Sequence, residues 1–113
     1  MAHKDFERVF LDAIDGAFSS LGDSAKQAIY FHLETKFKVT KEQIPYHIED
    51  FENGLENIFG PGTKFLEILI MKKLYENMEP KGKTMRWDDA REFKFSEYVR
   101  TAEEKYSKNK KNQ

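Results

Sequence analysis

The chain has 113 residues, 39% of them hydrophobic and 14% aromatic, with ten Phe and a formal net charge of −1. Such a length supports one domain with a real core, the aromatic load excludes wholesale disorder, and the balanced charge excludes a global field for nucleic acid or an anionic membrane. The absence of cysteine excludes disulfides, thiolate catalysis and cysteine-ligated metal.

From Phe6 the apolar residues fall at Phe6, Val9, Phe10, Ala13, Ile14, Ala17, Phe18 and Leu21, a helical stripe. Gly22 is the expected C-cap. Ser24 and Gln27 fit a capping box for a second helix that runs to about Phe37. Thr40 and Gln43 fit another, but Pro45 disfavours helix at Ile44, so one turn at most is expected there. A third helix starts near Ile48, with Phe51, Leu55, Ile58 and Phe59 on one side. Gly60-Pro61-Gly62 stops it, and a fourth helix runs from about Lys64 to Met78. Glu79 to Lys83, with Pro80 and Gly82, breaks the chain again. In the last segment Asp88 and Asp89 are N-cap candidates, and Phe95, Tyr98, Val99, Ala102 and Tyr106 follow at helical spacing. Arg91 to Val99 also shows some alternation; the helical spacing is the stronger signal. Residues 107–113 read as a polar, basic, frayed tail.

These elements predict an all-α fold: one domain over residues 1–106, a compact bundle of four or five helices packed around the fourth, built from two helical hairpins plus a C-terminal helix. Phe10, Ile14, Phe18, Ile29 and Leu33 recur 41 positions later as Phe51, Leu55, Phe59, Ile70 and Leu74. Shared amphipathic spacing explains this echo more simply than duplication does.

Two polar residues interrupt the apolar arcs when the helices are drawn at about 100° per residue. His32 falls near the centre of the arc of Ala25, Ala28, Ile29, Phe31 and Leu33. Glu67 falls inside the arc of Ile68, Ile70, Met71, Leu74, Tyr75 and Met78, while Phe65 and Leu69 lie with Lys72, Lys73 and Glu76 opposite. A buried carboxylate must be paired, hydrogen-bonded or protonated. His32 and Glu67 are therefore expected to meet as a buried polar pair, chiefly as a satisfied core hydrogen bond, with a pH switch as the functional alternative.

Other constellations carry little chemistry. Gly60-Pro61-Gly62-Thr63-Lys64 lacks the order of a P-loop or a dinucleotide motif and follows a helix, not a strand; stop, turn and start signals explain it, with Thr63 capping the fourth helix. His47 and Asp50 are three apart, a weak metal pair where helix capping is the ordinary explanation. No nucleophile–base pair stands out, and no enzyme activity, metal or cofactor is expected. Lys72, Lys73, Lys81, Lys83 and Arg86 form a basic stretch beside Trp87, a candidate interaction surface able to hold phosphate and stack a base. The simpler account is a solvated loop with Trp87 anchoring the last helix. Trp87, Phe93, Phe95 and Tyr98 together exceed what one narrow stripe buries, which points to a partner or a homodimer. The N-terminal residues show no signal peptide, and the longest apolar run, Ile68 to Met71, is far short of the roughly 20 residues of a membrane span. A cytoplasmic protein without membrane contact is expected.

Several of these residues carry a family likeness. Leu21-Gly22, Ala28-Ile29-Tyr30, His32-Leu33-Glu34, Ile44-Pro45, Phe59-Gly60, Gly62 and Glu67 stand in order within "LGDSAKQAIYFHLETKFKV", "EQIP" and "FENGLENIFGPGTKFLEILIMKKLYE". The region from Leu21 to Glu76 resembles a small helical archaeal domain, the Nitrosopumilus-type output domain of signal-transduction proteins. The resemblance implies a non-catalytic regulatory module and no defined catalytic or binding residue. The leading expectation is thus a helical interaction module acting through protein–protein contacts. The alternative is a small nucleic-acid-associated transcriptional regulator using the Lys72–Trp87 region.

Overall fold

The computed structural model describes residues 2–78 and 94–111. Among them lie five α-helices and no strand: α1 (Ala2–Ser19), α2 (Asp23–Phe37), α3 (Ile48–Phe59), α4 (Thr63–Met78) and α5 (Phe95–Lys111). Two 3-10 segments, Lys41–Tyr46 and Gly60–Gly62, join α2 to α3 and α3 to α4. The fold is the expected all-α bundle. Its packing runs crosswise between the hairpins. α1 makes its widest contact with α4, and α2 makes its own with α3, whereas α3 and α4 meet over a small area. Two central helices, α1 and α4, therefore share the role expected of the fourth alone.

The α1 stripe accounts for this. Phe6, Phe10, Ala13, Ile14, Ala17 and Phe18 are all buried. Full burial of one large apolar side chain is worth about 1.5–3 kcal/mol, so this stripe and the α4 residues facing it dominate the core. Aromatic rings run through the core in one chain. Tyr106 touches Phe6, Phe6 stacks on Phe10, and Phe10 meets Phe95. Phe95 leads to Phe51, then Phe18, then Tyr30, with neighbouring centroids 5.3–6.3 Å apart across these last contacts. The chain links α5, α1, α3 and α2. Phe95 is 1% exposed and Tyr98 is half-buried against the core, so that part of the aromatic surplus is internal. Trp87 and Phe93 lie outside the described residues.

The corners refine several sequence expectations. α1 ends at Ser19, before Leu21, which is 45% exposed. Gly22, at φ 106°, serves both helices: its N–H donates to Ser19 O at 3.0 Å behind α1, and it stands as N-cap of α2, where no side chain caps the end, so the Ser24–Gln27 box does not form. The Thr40–Gln43 reading holds: Thr40 N–H donates to the Gln43 side chain at 3.1 Å. The segment is longer than one turn, six residues of 3-10 helix that contain Pro45. At the Gly-Pro-Gly corner Gly60 takes φ 56°, the positive value that favours glycine. Thr63 caps in the opposite sense to that expected. Its buried hydroxyl lies 2.8 Å from Gly60 O and 3.1 Å from Leu55 O, so it closes the end of α3 and not the start of α4. The α5 backbone remains helical to Lys111, beyond the expected end at Tyr106. The lysine-rich sequence there has good intrinsic helix propensity.

α2 and α3 approach most closely at Gly54. A β-carbon there would clash with Leu33 Cδ2 and stand 3.3 Å from Phe37 Cδ2. Leu33 is fully buried and has nowhere to retreat. Gly54→Ala is expected to destabilise the fold by about 1–3 kcal/mol, the usual cost of overpacking, read as a lower midpoint in urea unfolding. Thr63→Val keeps the shape and removes the hydroxyl that serves two carbonyls. The expected loss is about 1–2 kcal/mol; an unchanged midpoint would show that water replaces the cap.

Candidate functional site

α4 begins with an inversion. Phe65 is 81% exposed, while Glu67, two residues on, is 8% exposed. Leu66, Ile70, Met71, Leu74 and Tyr75 of the same helix are buried, so Glu67 sits within the inward face. The sequence wheel placed both residues on these sides. A buried carboxylate and a solvated benzene ring within one turn each break a local rule, and such conflicts concentrate at functional sites.

The expected His32–Glu67 pair does not form. The His32 ring nitrogen Nε2 lies 3.0 Å from Asn57 Oδ1, and the ring packs 5.9 Å from Phe37. Its environment is the α2–α3 seam. The wheel misplaced it because Phe31, which widened the apolar arc of α2, is 68% exposed; the buried residues of α2 are Ile29 and Leu33 alone. With Phe31 and the exposed Ala28 both outside, the arc that remains runs from Ala25 through Ile29 to Leu33 and leaves His32 beyond its edge.

Glu67 instead lines a cleft of about 530 Å³ where α3, the Gly60–Pro61 corner, the first turns of α4 and the start of α5 meet. Glu49, Glu52 and Glu56 enter from α3, Lys64 from α4 and Lys94 from just before α5. The α3 carboxylates are spaced three and four residues apart, so one helical face carries them all. That acidic stripe was readable in the sequence, but the corner that brings it opposite Glu67 was not. Glu52 Oε2 accepts a hydrogen bond from Ser96 N–H at 3.2 Å, tying α3 to the first turn of α5. Burial raises the Glu52 carboxyl; the Ser96 bond and Lys94 oppose this, while Glu56 and Glu49 reinforce it.

The environment of Glu67 is stronger still. Burial pushes its carboxyl up to about 7, helped by the negative charges of Glu52 and Glu56 and opposed by Lys64. Among the described residues no hydrogen bond reaches it, its oxygens keep access to the cleft, and no group of three His, Asp or Glu converges as a metal site. His47 Nδ1 and Asp50 Oδ2 stand 3.9 Å apart beside a second cleft between the 3-10 segment and α5, a loose contact; His47 is the N-cap of α3, but no side-chain hydrogen bond caps that end.

Asp15 of α1 shows the opposite arrangement. Tyr30 OH donates to it at 3.1 Å, and the Lys26 and Lys41 ammonium groups lie 3.3 Å away. Lys41 also sits 5.5 Å above the Tyr30 ring. Partial burial works to raise the Asp15 carboxyl, but Tyr30, Lys26 and Lys41 together hold it below the usual range. This clamp ties α1, α2 and the 3-10 segment. No spacing rule announces it, since the partners lie 11, 15 and 26 residues away.

Of the basic stretch, Lys72 is exposed on α4, and Lys73 lays its stem across Gly16 of α1, 3.2 Å from where a β-carbon would stand. Lys81, Lys83, Arg86 and Trp87 lie outside the described residues. No helix among the described residues is long and apolar enough to cross a membrane. No family model, curated protein or solved structure matches the chain.

The Glu67 environment sets a pH dependence. Its folded value, about 7, lies above the 4.5 of a free carboxyl, so the folded state holds the proton more tightly. The corresponding stability is fully present below pH 4.5 and is lost as pH rises toward 7. At about 1.4 kcal/mol per pH unit the loss is at most roughly 3 kcal/mol. Glu67→Gln is therefore expected to stabilise the fold at pH 8 and to change little at pH 4, by denaturant titration at both. Equal effects at the two values would refute the assignment.

Proposed function

We propose that the protein is a non-enzymatic, cytoplasmic helical interaction module that regulates through protein–protein contacts, with a second copy or another protein covering the start of α4. Phe65 carries this reading. A ring 81% exposed on a helix whose other face builds the core is an apolar contact held outward. Phe31 on α2, at 68%, is a second such ring. The resemblance to the archaeal output domain supports a regulatory role of this kind, since such domains act at the end of a signalling chain and carry no chemistry of their own.

Replacement of Phe65 by the photo-crosslinking residue benzoylphenylalanine tests the reading in the native cell. The expected result is a discrete protein adduct from position 65, and none from the exposed Asp12 of α1 carrying the same group. Sedimentation of the purified chain then tells whether the adduct is a homodimer. No adduct at position 65, together with a strictly monomeric chain, would overturn the proposal.

A further inference from the structure

The cleft under Glu67 has a charge pattern that the exposed rings do not explain. Four carboxylates line it against two ammonium groups, Lys64 and Lys94. Glu67, 92% removed from solvent, lacks a hydrogen-bond donor among the described residues, and the charges acting on it from α3 are both negative. A side chain so placed is largely buried yet unbonded, and since no fully buried side-chain oxygen among the described residues lacks a partner, its oxygens are met only from the cleft. The chain does not lack the means to satisfy a carboxylate, because Asp15 receives three donors. Glu67 is thus left open toward a cleft of about 530 Å³, ample for a side chain.

The chemistry of the lining selects the occupant. A hard metal ion needs several oxygens converging at about 2.0–2.6 Å, and no such group exists among the described residues. A guanidinium has five N–H donors in a planar fork, is always charged and is weakly hydrated, so it bridges separated carboxylates and tolerates burial. Glu52 already accepts from Ser96 N–H with one oxygen, which holds its side chain in the lining of the cleft.

We infer that the cleft between α3, the start of α4 and the start of α5 is a guanidinium site, with Glu67 at its floor and Glu52 and Glu56 on its wall, and that it receives an arginine side chain of a partner protein. The inference rests on the interaction reading above for the source of the arginine, and on the cleft alone for its chemistry. Binding a cation favours the ionised form of Glu67, so the site gives up a proton as it fills. The charges that govern this are Glu49, Glu52 and Glu56 from α3, Lys64 from α4 and Lys94 ahead of α5. Affinity therefore rises with pH between about 5 and 7 and levels above, and salt weakens it.

The test is an NMR titration of the full chain, following the Glu side-chain carboxyl carbons, with the blocked tripeptide Gly-Arg-Gly, its Gly-Lys-Gly counterpart and ethylguanidinium chloride as probes. The expected result is a saturable shift of Glu67 and Glu52 with the arginine peptide, weaker with lysine, and proton release seen by calorimetry in two buffers at pH 6.5. Glu67→Gln is expected to weaken the arginine peptide about tenfold, the worth of one charged hydrogen bond, while its amide spectrum shows the fold intact. Shifts that fail to saturate, that sodium chloride reproduces, or that persist unchanged in Glu67→Gln would overturn the site. Binding of ethylguanidinium with exclusion of the peptide would overturn the protein source. A Phe65 adduct with no arginine binding would refute this inference and leave the interaction reading standing; the reverse pair of results would do the opposite.

Discussion

The seam between α1 and α4 fixes the rest of the molecule, because a helix is rigid about its own axis. α1 offers an unbroken apolar stripe, and α4 answers with Leu66, Ile70, Met71 and Leu74. Glu67 precedes Ile70, Met71 and Leu74 by three, four and seven residues, so it must share their face. Phe65 precedes Ile70 by five and turns roughly 140° away. Turning α4 to expose Glu67 would carry Ile70 and Leu74 out with it, at about 1.5–3 kcal/mol for each large side chain. The fold therefore accepts a strained carboxylate to keep the seam, and the exposed ring follows from the same rotation.

Two carboxylates of this chain show how environment, not residue type, decides charge. Asp15 and Glu67 both lie between helices. Asp15 gathers a phenol and two ammonium groups, and its proton is lost readily. Glu67 meets desolvation and two further carboxylates, and its proton is held to about pH 7. Hydrogen bonds to the charged form and opposite charges act one way, burial and like charges the other. The first carboxylate is spent on architecture. The second remains available, and its neighbours Glu52 and Glu56 leave it short of positive charge.

The all-α class, the helix list, the Gly-Pro-Gly corner and the sides taken by Phe65 and Glu67 were legible in the sequence, since each depends on local periodicity or turn chemistry. The direction of the Thr63 cap was not, because a hydroxyl at a corner can serve either helix and only the backbone path decides. The His32–Glu67 pair failed for a related reason. A wheel ranks positions within one helix, but whether an apolar side chain such as Phe31 joins the core depends on what lies opposite. The acidic stripe on α3 was visible by spacing, yet its meeting with Glu67 required the corner angle. Asp15 and its donors are joined only by the tertiary fold.

That corner angle is held at both ends. Thr63 ties the start of α4 to the Leu55 carbonyl of α3 and the Gly60 carbonyl of the corner, and Gly54 lets α2 press α3 from behind. Glu52 and Ser96 hold the third wall. The acidic cleft thus stands on fixed helix ends, so a ligand gains little by reshaping it and loses little entropy in the frame. A site preorganised in this way responds chiefly through charge. The floor carboxylate changes protonation near neutral pH without any helix having to move, and Phe65, on the same first turns of α4, lies outside that change. The proposed charge recognition in the cleft and the proposed apolar contact at the ring therefore concern separable features of one helix end.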